Sequence, residues 1–187
     1  MTCWHRRREM MVGVKEFLTH VPEREMGGQT ALDRFDYQTA WGISRLLDLH
    51  ERGANYAVAF EFHDDIVALD DADEPTSAIF YQVKTKSSGN WSFAQITQRK
   101  SSKGIRKSSF AGKMFDNCVR FGATVERLAF VSNQPLPDVI VAHGEEKFAA
   151  AEKKKLEQFV KAISEEVDGY DDEVHTVYSS LFSPILT

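Results

Sequence analysis

Cysteine is scarce in this chain: Cys3 and Cys118 are the only two among 187 residues, and neither lies in a CxxC unit. That excludes a disulfide framework and a structural zinc site of familiar ligand spacing, and it fits a reducing compartment. Long apolar runs are absent too, since none approaches the roughly 20 residues that span a bilayer. Residues 1–9 carry Arg6, Arg7 and Arg8 but no apolar stretch of the kind that makes a secretory signal, so the expected location is the cytoplasm and no membrane partner is expected. There is no internal repeat. The most local absence is of negative charge: from Thr76 to Phe115 there is no Asp or Glu.

Lys84, Lys86, Arg99, Lys100, Lys103, Arg106, Lys107 and Lys113 give that acid-free stretch a charge of +8, which leaves 15 basic against 28 acidic residues, or −13, for the rest of a chain whose net charge is −5. A basic segment on an acidic protein is a local field for a polyanion and not a general stickiness. The composition, 42% hydrophobic and 27% charged, is that of an ordinary globular protein, and 187 residues bury a substantial core as one domain.

Residues 1–26 read as an N-terminal extension, with Met10 and Met11 as alternative starts and a short helix over 12–18 that stops before Pro22. The domain proper, 27–187, opens with a turn at Gly27-Gly28 and then the clearest helix, capped by Thr30 or Asp33 and ending near Gly53. Phe35, Tyr37, Ala40, Trp41, Ile43, Leu46, Leu47 and Leu49 supply its broad apolar stripe, with Tyr37 and Trp41 expected in the core. Residues 56–62 alternate as a strand and 65–69 form a second, joined through His63-Asp64 as an antiparallel hairpin. After an acidic turn at 70–75, residues 78–84 read as a third strand. Residues 91–97 are expected to be helical, 99–109 a flexible, basic, hydroxyl-rich loop, 110–121 an amphipathic helix and 127–133 a fourth strand. With a helix between them, the third and fourth strands are expected to lie parallel through a right-handed crossover. A long helix is expected over 145–167, with Lys153, Lys154 and Lys155 on its solvated face. The apolar run 174–186 stops beside Thr187, from which a missing downstream domain is expected.

The third strand ends Gln82-Val83-Lys84. Alternation places Gln82 and Lys84 together on one face and Tyr81 and Val83 on the other. An amide and an ammonium at the end of an otherwise apolar strand need polar partners, because an unsatisfied buried amide alone costs roughly 2–7 kcal/mol. The neighbouring hairpin offers the carboxylates of Glu61, Asp64 and Asp65. An acid on one strand beside Gln-x-Lys on the next, with a basic loop after it, is a minimal kit for metal-assisted phosphodiester hydrolysis. The carboxylate would hold Mg²⁺ or Mn²⁺, hard cations that prefer oxygen, with the Gln82 side-chain carbonyl or the Val83 backbone oxygen as a further ligand. Lys84 would orient a water or stabilise charge developing on the phosphate. Lys86, Arg99, Lys100, Lys103, Arg106 and Lys107 would neutralise phosphates and position a duplex without reading its sequence.

Four segments in order carry a resemblance: Arg34-Phe35-Asp36-Tyr37-Gln38, then Phe60 through Asp70, then Phe80-Tyr81-Gln82-Val83-Lys84-Thr85-Lys86, then Phe130-Val131-Ser132-Asn133. The set resembles the nuclease domain of bacterial antiphage effectors, the double-stranded DNA endonucleases of CD-NTase signalling (CBASS) and relatives paired with HerA-type ATPases. That group is similar to the PD-(D/E)xK restriction endonucleases, in the variant with Gln before x-Lys. The resemblance implies an α/β, restriction-endonuclease-like fold with a central mixed sheet (αβββαβ core) flanked by helices, and a Mg²⁺-dependent endonuclease acting on double-stranded DNA. It assigns Asp65 as the metal carboxylate, Gln82 as the substituted acid and Lys84 as the catalytic lysine. Asp64 and Glu61 stand behind Asp65, and Gln38 and Asp36 match the helical part of the pattern as assisting groups. A ligand-sensing domain follows the nuclease in longer members, and this chain is too short to hold one. A homo-oligomer is expected, since one such site cuts one strand. The alternative is a nuclease-like scaffold that binds DNA or an ATPase without cutting, with Lys84 merely extending from a strand end.

Overall fold

The computed structural model describes residues 27–53, 55–139 and 145–167, and the backbone of 182–186. The helix expected over 12–18 and most of the run 174–186 lie outside these residues. The chain divides into two units, Met1–Phe35 and Asp36–Thr187. Of the first, the described part is the opening of helix α1 (Gly27–Glu51), whose remaining turns belong to the second unit.

In the second unit a mixed sheet is assembled in the order β1 (Ala57–Phe62), β2 (Asp64–Leu69), β3 (Ala78–Lys84), β6 (Val125–Ser132), β7 (Phe182–Leu186). The pairs β1–β2 and β2–β3 are antiparallel, whereas β3–β6 and β6–β7 are parallel. Between β3 and β6 run the short helix α2 (Phe93–Ile96), strands β4 (Ser101–Ser102) and β5 (Ile105–Arg106), and helix α3 (Phe110–Phe121). Helix α4 (Lys153–Ser164) precedes β7. The observed order through β6 is thus helix, three strands, helix, strand, as expected.

The central strands are apolar at consecutive positions because both faces of the sheet are covered. Ile66, Ala68, Tyr81, Val83, Ala129 and Val131 meet Trp41 of α1 on one face. Val67, Phe80, Leu128 and Phe130 meet α2, α3 and α4 on the other. On the first face α1 comes close through Gly42, where a Cβ would run into the Phe60 ring and the tip of Ile66. That approach buries Gln38 and Trp41 but leaves Ile43 49% and Leu47 53% exposed, so the apolar stripe expected to face the core is only partly buried.

Two expected elements differ. Residues 99–109 are not a featureless loop: Ser101 pairs with Arg106 and Ser102 with Ile105 in a two-stranded hairpin. Its turn is Lys103-Gly104, both with left-handed backbone (φ 51° and 77°), the geometry that matches the twist of paired strands. The helix expected over 145–167 is shorter, a 3-10 turn at Phe148–Ala150 followed by α4. The reason is Phe148. In one continuous helix it would lie about 16 Å along the axis from Phe159, whereas the two ring centroids are 5.3 Å apart, both against Phe93. Of the three lysines on α4, Lys153 is solvated and Lys155 pairs with Asp138 at 2.9 Å.

The end of α4 is fastened to the start of α3. Ser109 caps α3 by accepting from the Gly112 N–H (2.9 Å), and its own N–H and hydroxyl donate to the two carboxylate oxygens of buried Glu166 (2.7 and 2.6 Å). Gly112 leaves the room, since a Cβ there would strike the Glu166 carboxylate. Ser109→Ala removes the cap and strips a buried carboxylate of a donor; a loss of about 1–2 kcal/mol in unfolding free energy is expected from equilibrium urea denaturation, with the denaturant slope unchanged.

Candidate active site

One register step beyond the Ile66–Tyr81 pair, Asp65 lies across from Gln82. Asp65 sits two residues before Val67, and Gln82 and Lys84 follow Phe80 at the same period, so all three side chains are on the α3 face of the sheet. There a single oxygen, Asp65 Oδ2, accepts from Gln82 Nε2, from the Val83 N–H (2.7 Å) and from Lys84 Nζ (2.8 Å). Lys84 Nζ also donates to the Val83 carbonyl (3.0 Å) and lies 5.3 Å from the centroid of the Phe110 ring. Asp65 Oδ1 accepts no hydrogen bond among the described residues, and the side chains of Lys84 and Asp65 are 24% and 19% exposed, so the cluster opens to solvent.

Asp64 reaches the same neighbourhood because the β1–β2 hairpin turns tightly. Phe62 pairs with Asp64 around His63, with Glu61 and His63 both in the left-handed region (φ 53° and 63°), which is unusual for residues with a Cβ. His63 is exposed but also rests edge-on against Phe62 and Phe121. Asp64 Oδ1 accepts from the Asp65 N–H (2.9 Å) and Oδ2 from Asn117 Nδ2 (3.2 Å). Loss of hydration is the largest influence on the Asp64 carboxyl and, with the Asp65 charge beside it, pushes its pKa up to about 7 against the opposing pull of Lys84 and Lys113.

Gln38 is buried at the back of this cluster. Its Nε2 donates to Glu61 Oε1 and to the Asp65 carbonyl (3.1 Å), so it holds the backbone that carries Asp65 and does not join the carboxylates themselves. Asp36 is exposed on α1, two helical residues from Gln38 and so on nearly the opposite side. The expected phosphate contacts divide. Lys86 donates to the Asn90 carbonyl and to Gln95 Oε1 (both 2.7 Å) and lies 4.1 Å from the Trp91 ring centroid. Arg99 bonds the Lys107 carbonyl and pairs with Glu166. Lys100, Lys103, Arg106 and Lys107 are exposed on or beside the β4–β5 hairpin. Asn117 was not singled out by the sequence pattern; its one signal is an amide among the buried positions Met114, Phe115 and Cys118 of an amphipathic helix. Cys118 itself has its thiol pushed up to about 12 by burial and is unreactive.

No cluster of three or more His, Cys, Asp or Glu able to hold a metal occurs among the described residues. The oxygen groups near the cluster are the Asp65 and Asp64 carboxylates and the Val83 carbonyl, while Gln82 turns its Nε2 toward Asp65 and would need its amide reversed to offer an oxygen. Such a set fits a hard divalent cation with part of its water retained and excludes a thiolate or imidazole site. Lys84 Nζ bridges Asp65 Oδ2 and Val83 O, so a cation shared by those two oxygens competes with the ammonium.

Among the described residues no helix is long and apolar enough to cross a membrane. No solved structure matches the chain significantly. Lamassu protein LmuA of Bacillus cereus (strain VD014) is 26% identical over 148 residues, which cover 76% of this chain and 37% of that protein. The chain thus corresponds to little more than a third of that relative's length. The family model of the Cap4 double-stranded DNA endonuclease domain matches residues 26–182, most of the chain from α1 to β7, and the chain belongs to that family.

Proposed function

We propose that this chain is a metal-dependent endonuclease that hydrolyses phosphodiester bonds of double-stranded DNA in antiphage defence, with Asp65, Gln82 and Lys84 at its catalytic centre. The observation that carries the reading is the convergence of Gln82 Nε2, the Val83 N–H and Lys84 Nζ on Asp65 Oδ2 across the β2–β3 pair. The strand order and this cluster support a restriction-endonuclease-like fold of the PD-(D/E)xK type with Gln replacing the second acid. The setting is a CBASS-type, HerA-associated or Lamassu-type assembly, in which the chain works as a homo-oligomer so that two sites meet two strands.

Asp65, Gln82 and the Val83 carbonyl would hold Mg²⁺ or Mn²⁺, with Asp64 adjacent. When bound, the cation polarises the scissile phosphate and lowers the pKa of water. The remaining work falls to side chains. Lys84, held by Asp65 and Val83 O, presents a preorganised ammonium to charge developing on the phosphate oxygens. Asp64, anchored by Asn117, is placed to exchange a proton with an attacking water near neutral pH. Gln38 fixes the Asp65 backbone.

The Lys84–Asp65 ion pair also suits a scaffold that binds DNA or a HerA-type ATPase without cutting, because it occupies the Asp65 carboxylate where no cluster of three or more acidic or other metal-binding side chains occurs among the described residues. Incubation of plasmid DNA with Mg²⁺ or Mn²⁺ separates the two. Lys84→Ala and Asp65→Ala are each expected to lower the cleavage rate at least about 100-fold; cleavage indifferent to both substitutions removes the site assignment, and intact plasmid with every metal favours the scaffold.

Asp64 gives a prediction that needs no substrate. Its carboxyl has a native pKa near 7 against 3.8 ordinarily, so between those values the native protein holds a proton that the unfolded chain has released. Stability of the metal-free protein therefore falls as pH rises from about 4 to about 7, by a total on the order of 4 kcal/mol. Urea denaturation across that range is expected to show the decline in the parent and a flat profile in Asp64→Asn. Added Mg²⁺ should restore stability at pH 8 more than at pH 6, since the cation favours the ionised form.

A further inference from the structure

Ile105 stands out among the apolar side chains. It is 70% exposed, more than Phe62, Leu32 or Val119, and it sits on the β4–β5 hairpin in the acid-free segment. Single exposed hydrophobics are ordinary; this one has three further features.

The hairpin is braced at its base and closed by a tight turn at its tip. The Lys107 N–H donates to the Lys100 carbonyl (2.8 Å), Arg99 Nε donates to the Lys107 carbonyl (3.3 Å), and Arg99 is paired with Glu166, whose side chain is 4% exposed. The Lys103-Gly104 turn holds the tip in one twisted conformation. Second, the ribbon's faces differ. Ser102 pairs with Ile105, and Lys100 bonds to Lys107 two residues further back, so Lys100, Ser102, Ile105 and Lys107 share a face by strand alternation. An apolar side chain is thereby flanked by cations, with Lys103 at the tip and Arg106 on the reverse. Third, the ribbon is close to the chemistry: it runs through Lys107 into Phe110, whose ring lies 5.3 Å from Lys84 Nζ.

Two-stranded ribbons are used to read either groove, and apolar side chains that enter the minor groove commonly wedge between base steps and kink the duplex, which lets a ribbon follow while flanking cations hold the phosphates. We infer that the β4–β5 hairpin is a DNA-distorting wedge, with Ile105 entering the minor groove of a duplex held at the Asp65–Lys84 site and Lys100, Lys103 and Lys107 on the adjoining phosphates. The inference rests on the nuclease reading and adds a role to it. The wedge unstacks a base step beside the scissile phosphate, which gives a preference for steps that unstack easily, such as TA, without hydrogen bonds to base edges.

The test uses the full chain in chelator, so that nothing is cut, with a short duplex carrying a fluorescent purine analogue whose emission rises on unstacking. The parent protein is expected to raise the emission. Ile105→Ser is expected to abolish the rise and weaken binding about tenfold with an unchanged slope of log affinity against log salt, because no cation is lost. Lys100→Gln with Lys107→Gln is expected to lower that slope by about 2. Exposure of Ile105 means that Ile105→Ser should unfold at the parent's temperature, which separates a binding defect from a folding one. Parent-like binding and emission in Ile105→Ser overturn the wedge. If that variant is parent-like while plasmid cleavage persists in Mg²⁺, the wedge alone fails; if the parent neither binds the duplex nor cuts plasmid, the nuclease reading fails with it.

Discussion

The convergence on Asp65 Oδ2 is the constraint around which the sheet end is built. Three donors from adjacent residues of β3 meet one carboxylate oxygen of β2. This requires β2 and β3 to be antiparallel and in one register, because a slip of one residue would turn Gln82 and Lys84 to the opposite face. The register is set deeper in the sheet, where Val67 and Phe80 pack on one side and Ile66 and Tyr81 on the other. Apolar packing in the middle of the strands thereby fixes the polar geometry at their ends. Arg45 strengthens the same arrangement from α1, donating to the Tyr81 hydroxyl at 3.0 Å.

Each face then supplies a different kind of support. On the α1 face, Gly42 lets the helix approach closely enough for Gln38 to reach the Asp65 carbonyl. On the α3 face, Asn117 reaches Asp64 and Phe110 borders Lys84. The helices that bury the sheet therefore also hold its polar end, and the Ser109–Glu166 contact ties the start of α3 to the end of α4. A change that loosens α3 moves Asn117, Phe110 and the hairpin base together.

Much of this was legible in the sequence, for identifiable reasons. The β-branched and aromatic run ending at Lys84, the acids of the preceding hairpin and the amphipathic stretch 110–121 announce themselves by period and composition, and the strand order followed from loop length. Alternation paired Gln82 with Lys84 and the hairpin brought acids near them, but the choice of Asp65 over Glu61 and Asp64 came from the resemblance and not from the local pattern. The rest depends on distances between residues far apart in sequence. Nothing local shows that Glu166 accepts from Ser109, the cap of the helix that begins at Phe110, or that Phe148 and Phe159 must meet and so break a helix between them. Lys86 and Arg99 read as free cations in a basic run, but Trp91, Gln95 and Glu166 are brought to them only by folding. Of the residues in the β4–β5 pairing only Ile105 has strong strand preference, so the Lys-Gly turn was its main signal.

Gln82 changes the electrostatics of the cluster in a way that bears on Asp64. A carboxylate at this position would face Asp65 and repel it; the amide instead donates to Asp65 and removes a negative charge. With Lys84 neutralising Asp65, the two-residue core carries almost no net charge, too little to hold a divalent cation tightly. For the proposed cation the nearest group that could supply the missing charge would be Asp64, pushed up to about 7 by lost hydration. A divalent cation favours the ionised form, so binding it near neutral pH draws a proton from Asp64. The Gln substitution therefore does not by itself mark the site as a relic. On the proposed reading it would shift the charge requirement from a fixed acid on β3 to a titrating one at the head of β2, and occupancy by a cation would then depend on pH near neutrality.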